Sequence, residues 1–157
     1  MYYKNQSDNK QHTWLASSPD LNNWTVVRSL IADVGHEAPN MFKAKGFYWL
    51  TVDAAPGGNK GTRIYRSITG IDGFTYMNTI LDANNGTRIG DKNGAGHPYV
   101  LVQDDEPYIF YHSWYGTKEQ TVVQVAKLVF ENGTFTCDRN MPFNFTLHAP
   151  GANDQQY

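Results

Sequence analysis

The stretch that decides the fold is "GHEAPNMFKAKGFYWL", residues 35–50, because a similar stretch, "GHPYVLVQDDEPYIFYH", follows at residues 96–112. Each begins with Gly-His, reaches a proline, and continues as an apolar run, a polar turn and a second run rich in aromatic residues. Such runs, separated by turn residues, are typical of antiparallel β-strands. The two Gly-His pairs lie 61 residues apart (96 − 35), which indicates a structural repeat.

Each repeat predicts a sheet of four antiparallel strands. The first sheet is expected to contain Pro39–Ala44, Phe47–Asp53, Arg63–Ser67 and Thr75–Leu81. The second is expected to contain Tyr99–Gln103, Pro107–Trp114, Val122–Phe130 and Thr134–Arg139. Residues 1–31 supply three strands of an earlier unit. The domain division is therefore an incomplete unit over 1–34, units over 35–95 and 96–140, and a tail over 141–157.

The fold class that follows is all-β, since no stretch shows sustained helical periodicity. Consecutive four-stranded sheets at a fixed period build a β-propeller, of which this chain would hold two full blades and part of a third. A sandwich of about eleven strands is the alternative. It ranks second because a sandwich does not require units that repeat.

Composition excludes several partners. The 157 residues carry a net charge of −2, which gives no electrostatic reason to expect nucleic acid or an anionic membrane. No apolar run approaches the roughly 18 residues of a membrane helix. The opening "MYYKNQSDNK" lacks the features of a signal peptide. The one cysteine, Cys137, excludes an internal disulfide and a cysteine-based metal site.

A family resemblance rests on three motifs in order. "HEAPNMFKAKGFYWLTVDA", "GTRIYRSITGIDGF" and "GAGHPYVLVQDDEPYIFYH" resemble the later blades of family 43 glycoside hydrolases, the arabinanases, arabinofuranosidases and β-xylosidases. The similarity is good over about residues 34–115 and loose elsewhere. It implies a five-bladed β-propeller, incomplete in this chain, that cleaves arabinose- or xylose-containing polysaccharide with inversion. It also favours a secreted or periplasmic protein.

The resemblance assigns roles to individual residues. Glu37 matches the family's general acid, and His97 matches an axial histidine that lies near a bound cation or water cluster. His97 would then bind substrate and contact a structural Ca²⁺ at the axis through water, while no cofactor is required. Trp114 and Tyr115, at a strand end, are the candidates for stacking on sugar rings.

A physical expectation for Glu37 stands beside this match. A carboxylate at the mouth of an inner strand, partly buried and with little cationic compensation, should have a raised pKa, as a general acid requires. A competing register also exists, because "SPDLNNWT" (18–25) resembles a motif of earlier blades. In that register Glu37 replaces a structural tryptophan, and His97 replaces the aspartate that tunes the acid.

The second carboxylate of an inverting pair has no counterpart in this sequence. The family's base is an aspartate on the first blade's inner strand, so the base is expected outside this chain. Asp33 and Asp91 are interpreted as loop residues in water, and Asp53, at the end of "FYWLTVD", as pointing away from the channel mouth. His36 and His112 are interpreted as hydrogen-bonded structural histidines.

Partners follow from the incomplete first unit. Its missing inner strand predicts either a homodimer or an upstream segment that completes the propeller. The tail over 141–157 is a further candidate for covering this unit. The expected ligand is an oligo- or polysaccharide. The alternatives to catalysis are a non-catalytic carbohydrate-binding blade set and an interaction module that uses an open edge.

Overall fold

The computed structural model describes residues 1–7, 11–54, 61–82, 86–91, 93–114 and 120–147; the side chains of residues 93, 94 and 114 are not described. This part of the chain forms strands and turns without a helix. None of its elements is a helix long and apolar enough to span a membrane.

Three antiparallel sheets follow one another along the chain. The first is ordered β1 (Tyr2–Asn5), β2 (His12–Ser17), β3 (Thr25–Ile31). The second is ordered β4 (His36–Ala44), β5 (Phe47–Ala54), β6 (Thr62–Ser67), β7 (Thr75–Ile80). The third contains β8 (Asn93–Gln103), β9 (Glu106–Trp114) and β10 (Thr121–Lys127), and a two-stranded ribbon pairs β11 (Val129–Glu131) with β12 (Thr134–Thr136).

The predicted sequence of sheets is confirmed, and the sandwich is excluded because no strand is shared between the three main sheets. One predicted strand, Val122–Phe130, is wrong. It breaks at Leu128, whose N–H still bonds the Pro107 carbonyl at 3.0 Å before the chain leaves the sheet. The ribbon that follows packs Phe130 and Phe135 edge-on against Trp49 of the second sheet. The last unit is thus three strands plus a ribbon.

Two apolar cores lie on the two faces of the second sheet. Successive residues of β5 face opposite sides, as a strand requires. Leu50 and Val52 belong to the core shared with Ile31 at the end of β3. Trp49, fully buried, belongs to the larger core that includes Ile109 of the third sheet. The sheets therefore stack face to face in chain order, as neighbouring propeller blades do.

The first strands of the last two sheets, β4 and β8, share an irregular opening. Register shifts lie between Glu37 and Asn40 in β4 and between Gly96 and Tyr99 in β8. Next to each shift, the residue before a proline has a positive φ, 51° at Ala38 and 49° at His97. The two strands are cross-linked by the Asn40 side chain, whose Oδ1 accepts the Val100 N–H at 2.8 Å.

These bulges correct the alignment of the repeat. Structurally, Ala38 takes the place of His97, and Glu37 takes the place of Gly96. The spacing is then 59 residues (96 − 37), not the 61 that the Gly-His pairs suggest. The two Gly-His motifs therefore occupy different positions in their strands, because the first unit reaches its bulge two residues later.

The tail packs on the last sheet, not on the first. Phe145 lies 4.7 Å from Tyr108 and 5.5 Å from Phe110, between ring centroids. The Gln103 side chain also donates to the Thr146 carbonyl at 2.7 Å. The expectation that the tail covers the incomplete first unit is wrong for its described part, which ends at residue 147. The apolar face of β9 attracts it instead.

Candidate functional site

The candidate site lies where β4 and β8 begin and β5 ends. Glu37 is paired directly opposite Asp53 across β4 and β5. Asp53 in turn reaches the start of β8, where its Oδ2 accepts the His97 N–H at 3.2 Å. Two carboxylates and an imidazole thus meet at one mouth of the stacked sheets, although they are far apart in sequence. The sequence analysis assigns roles to Glu37 and His97, but it interprets Asp53 as pointing away from this mouth.

Glu37 forms an ion pair with Lys4 of β1. The Lys4 Nζ lies 2.7 Å from Glu37 Oε2, and the Glu37 side chain is 23% exposed. The hydrogen bond from this ammonium lowers the pKa of Glu37 below its ordinary value, despite an opposing contribution from burial. The expectation of a raised pKa at Glu37 is therefore wrong, because the first sheet supplies a cation that the local sequence does not reveal.

Replacing Lys4 with methionine should raise the pKa of Glu37. The ion pair stabilises the ionised carboxylate, so its contribution to folding is present above the ordinary carboxyl pKa and lost as pH falls through the lowered one. In Lys4→Met, the loss of folding stability at low pH should be smaller. Carbon-13 NMR titration of the Glu37 carboxyl measures the shift, and Lys45→Met, which removes a similar pair with Asp105, is the control. An unchanged Glu37 midpoint would contradict this assignment.

Asp53 is the more enclosed of the two carboxylates. Its side chain is 15% exposed, and burial raises its pKa, while the His97 N–H and imidazole act in the opposite direction. The interpretation that Asp53 points away from the mouth is wrong. In an antiparallel pair the end of the second strand returns to the start of the first, so the last residues of β5 lie beside Glu37.

Two histidines complete the site. The His97 ring lies 5.0 Å from the His112 ring and its Nδ1 lies 3.9 Å from Asp53 Oδ2. His97 is 57% exposed, whereas burial and the neighbouring His97 lower the pKa of His112. His112 therefore contacts another imidazole at the mouth, which the interpretation as a structural histidine did not anticipate.

For the other residues singled out in the sequence, the structure confirms some interpretations and contradicts one. His36 is buried, donates from Nδ1 to the Val34 carbonyl at 2.8 Å and accepts the Thr13 hydroxyl at Nε2, which confirms a structural role. Asp33 is a half-exposed loop residue that pairs with Arg63. Asp91 is fully buried against Arg139, so its interpretation as a loop residue in water is wrong.

The predicted sugar-stacking residues lie at the edge of the description. Trp114 ends β9 opposite Asn93, with a side chain that is not described, and Tyr115 lies outside the described residues. Among the described residues, no group of three His, Cys, Asp or Glu could hold a metal ion. The predicted Ca²⁺ and its water-mediated contact with His97 stay predictions, because Ca²⁺ takes several oxygen ligands and the described residues at the mouth offer two carboxylates, Asp53 and Glu37.

The sequence and the fold were compared with those of known proteins. No family model and no curated protein match the sequence. Solved structures do. A thermostable family 43 glycoside hydrolase superimposes with a TM-score of 0.61 at 19% identity, over 91% of this chain and 51% of that one. This chain therefore has the fold of about half of that protein, an incomplete β-propeller.

Two further structures have the same fold. An endo-1,4-beta-xylanase from Bacteroides thetaiotaomicron gives a TM-score of 0.65 at 18% identity, over 87% of this chain and 53% of that one. The Cellvibrio cellulosa alpha-L-arabinanase complexed with arabinohexaose gives 0.59 at 15% identity, over 87% and 55%. This chain thus spans about half the length of these proteins. The all-β partial propeller predicted from the sequence is confirmed.

Proposed function

We propose that this chain is part of a glycoside hydrolase that cleaves arabinose- or xylose-containing polysaccharide. The observation that carries the proposal is the meeting of Glu37, Asp53 and His97 at one mouth of a propeller whose structural neighbours include an arabinanase and a xylanase. Ligand sites of proteins are concave and combine a few convergent polar groups. The two carboxylates and the imidazole at this mouth supply the convergent polar groups.

In the proposed reaction Glu37 is the general acid. It donates its proton to the glycosidic oxygen as the bond to the anomeric carbon breaks, while an aspartate outside these 157 residues takes a proton from the attacking water. Attack from the opposite face inverts the anomeric centre, and inverting carboxyl pairs stand about 6.5–9.5 Å apart. Lys4 favours the ionised form of Glu37. In this proposal Glu37 can donate a proton only when substrate binding breaks the Lys4–Glu37 ion pair.

The other proposed roles belong to residues at or near the same mouth. His97, more than half exposed, donates to or accepts from sugar hydroxyls, and Trp114 and Tyr115 stack on sugar rings. A structural Ca²⁺ at the axis, contacted by His97 through water, belongs to the proposal. So does a secreted or periplasmic location, where polysaccharide is met.

Ligand mapping tests the proposed site. Arabinohexaose and xylohexaose are titrated into the nitrogen-15-labelled 157-residue chain. We expect amide shifts centred on Glu37, Asp53 and His97, with little change at the Asp104–Asp105 turn at the other end of β8. His97→Ala should weaken binding, whereas Asp105→Asn, on an exposed turn, should not. Shifts confined to other surfaces, or no shifts with either sugar, would reject the site.

A non-catalytic carbohydrate-binding role is the second candidate. The Lys4–Glu37 ion pair favours it, because a carboxylate held ionised binds sugar hydroxyls but has no proton to donate. This reading keeps the mapped ligand site and predicts no effect of Glu37→Gln on bond cleavage. An interaction module instead predicts binding of a protein partner without any sugar affinity.

Assembly is a further part of the proposal. Among the described strands β1 pairs only with β2, and the half-buried Trp14 has a buried Nε1 without a hydrogen-bond partner in that part of the chain. Proteins usually protect an open strand edge, and pairing with a further strand is one way to do so. We expect the 157-residue chain alone to be dimeric or marginally stable, and the propeller to be completed by a second copy or an upstream segment. A sharply melting monomer in light scattering would contradict this.

A further inference from the structure

The start of β8 is held in an unfavourable backbone conformation. His97 has a φ of 49°, in the left-handed region that residues other than glycine rarely adopt. It also precedes Pro98, and a following proline restricts a residue to extended conformations. Such a residue persists only when its surroundings fix it. Something must therefore hold His97.

The group that holds it comes from the neighbouring sheet. Asp53, at the end of β5, extends its carboxylate to the His97 N–H at 3.2 Å. Among the described residues, no other group donates a hydrogen bond to Asp53. Hydrogen bonds from a backbone N–H to an ionised acceptor are stronger than those to a neutral one. The carboxylate is mostly enclosed, so little water competes for the same donor.

Gly96 makes this contact sterically feasible. A Cβ added at Gly96 would lie 2.8 Å from Asp53 Oδ2 and 2.9 Å from His112 Cε1, closer than real Cβ contacts. The equivalent position of the preceding unit carries Glu37, and there the residue opposite is Asp53. In the last unit the residue opposite is His112. The glycine thus leaves room for a carboxylate from one sheet to reach the bulge of the next.

We propose that Asp53 is a positioning residue for carbohydrate recognition: it fixes the His97 backbone in the β8 bulge, through the space left by Gly96, and so presents the His97 ring at the mouth beside Glu37. This inference rests on the proposed function for its ligand, an arabinose- or xylose-based oligosaccharide. The positioning itself depends only on the contacts among Asp53, Gly96 and His97.

Two variants separate the acceptor from the charge. Asp53→Asn keeps an oxygen that accepts the His97 N–H, whereas Asp53→Ala removes it. In the 157-residue chain we expect the His97 amide proton to move upfield in both, and further in Asp53→Ala. Affinity for arabinohexaose or xylohexaose should fall about tenfold or more in Asp53→Ala and be largely retained in Asp53→Asn. Gly96→Ala, which displaces the carboxylate, should resemble Asp53→Ala.

The controls keep the outcomes distinct. Asp105→Asn alters a carboxylate at the opposite end of β8 and should change neither readout. If Asp53→Ala does not fold, the His97 amide shift in Asp53→Asn still decides the matter. An unchanged His97 amide in the Asp53 variants would overturn the positioning role, as would a loss of affinity in Asp53→Asn equal to that in Asp53→Ala. A wild-type chain that binds neither sugar would reject the proposed function while leaving the amide result intact.

Discussion

Replacing Asp91 with asparagine should lower the free energy of unfolding by about 3–5 kcal/mol, the range found when one partner of a buried ion pair is removed. Asp91 is fully buried and Arg139 is 2% exposed. The carboxylate also accepts the Tyr111 hydroxyl at 2.9 Å and an Arg88 guanidinium N–H at 3.2 Å. The substitution removes the negative charge that compensates the buried Arg139 guanidinium. Because arginine keeps its proton in proteins, Arg139 would stay charged and buried.

Urea unfolding of the 157-residue chain measures this effect. Because domains of this size are stable by only about 5–15 kcal/mol, the loss is a large share of the total. A double variant, Asp91→Asn with Arg139→Met, removes both charges and should recover much of the stability. Asp105→Asn, in an exposed pair with Lys45, should cost less than about 1 kcal/mol. A wild-type midpoint for Asp91→Asn would show that the cluster does not stabilise the fold.

The succession of sheets could be predicted because its signals are local. Alternating apolar runs and turn residues located β5, β6 and β7 to within a residue or two. Those patterns depend on which side chains a strand buries, and the order of apolar and polar residues in the sequence shows this directly. The break at Leu128 could not be predicted, because it follows from the packing of Phe135 on Trp49, a contact between units.

The candidate site was predictable only in part. Glu37 and His97 stand in recognisable motifs, whereas Asp53 becomes visible only when β4 and β5 are paired with the correct bulge. Lys4 changes the electrostatics of Glu37 from another sheet, and no local pattern announces it. Asp91 was misread for a similar reason: its partner Arg139 is brought to it by the tertiary fold.

Replacing Glu37 with glutamine should slow cleavage of a glycoside that has a poor leaving group by about 10²–10⁴-fold. This is the usual contribution of general acid catalysis. Glutamine keeps the shape of the side chain but holds no transferable proton. The effect should be large for a phenyl arabinoside or xyloside, whose phenolate leaves poorly. It should be small for the dinitrophenyl glycoside, whose leaving group needs no proton. This dependence on the leaving group distinguishes a lost acid from a damaged site.

Azide-dependent cleavage tests the central claim most directly, because azide is a nucleophile that needs no base to activate it, and the proposed base would lie outside this chain. In the proposed reaction azide attacks the anomeric carbon, the bond to the phenol oxygen breaks, and Glu37 as general acid would give its proton to that oxygen. For the phenyl arabinoside or xyloside, the account predicts azide-dependent phenol release by the 157-residue chain, an inverted glycosyl azide as product, and loss of this release in Glu37→Gln. Equal release by the two proteins, or none from either, would contradict it.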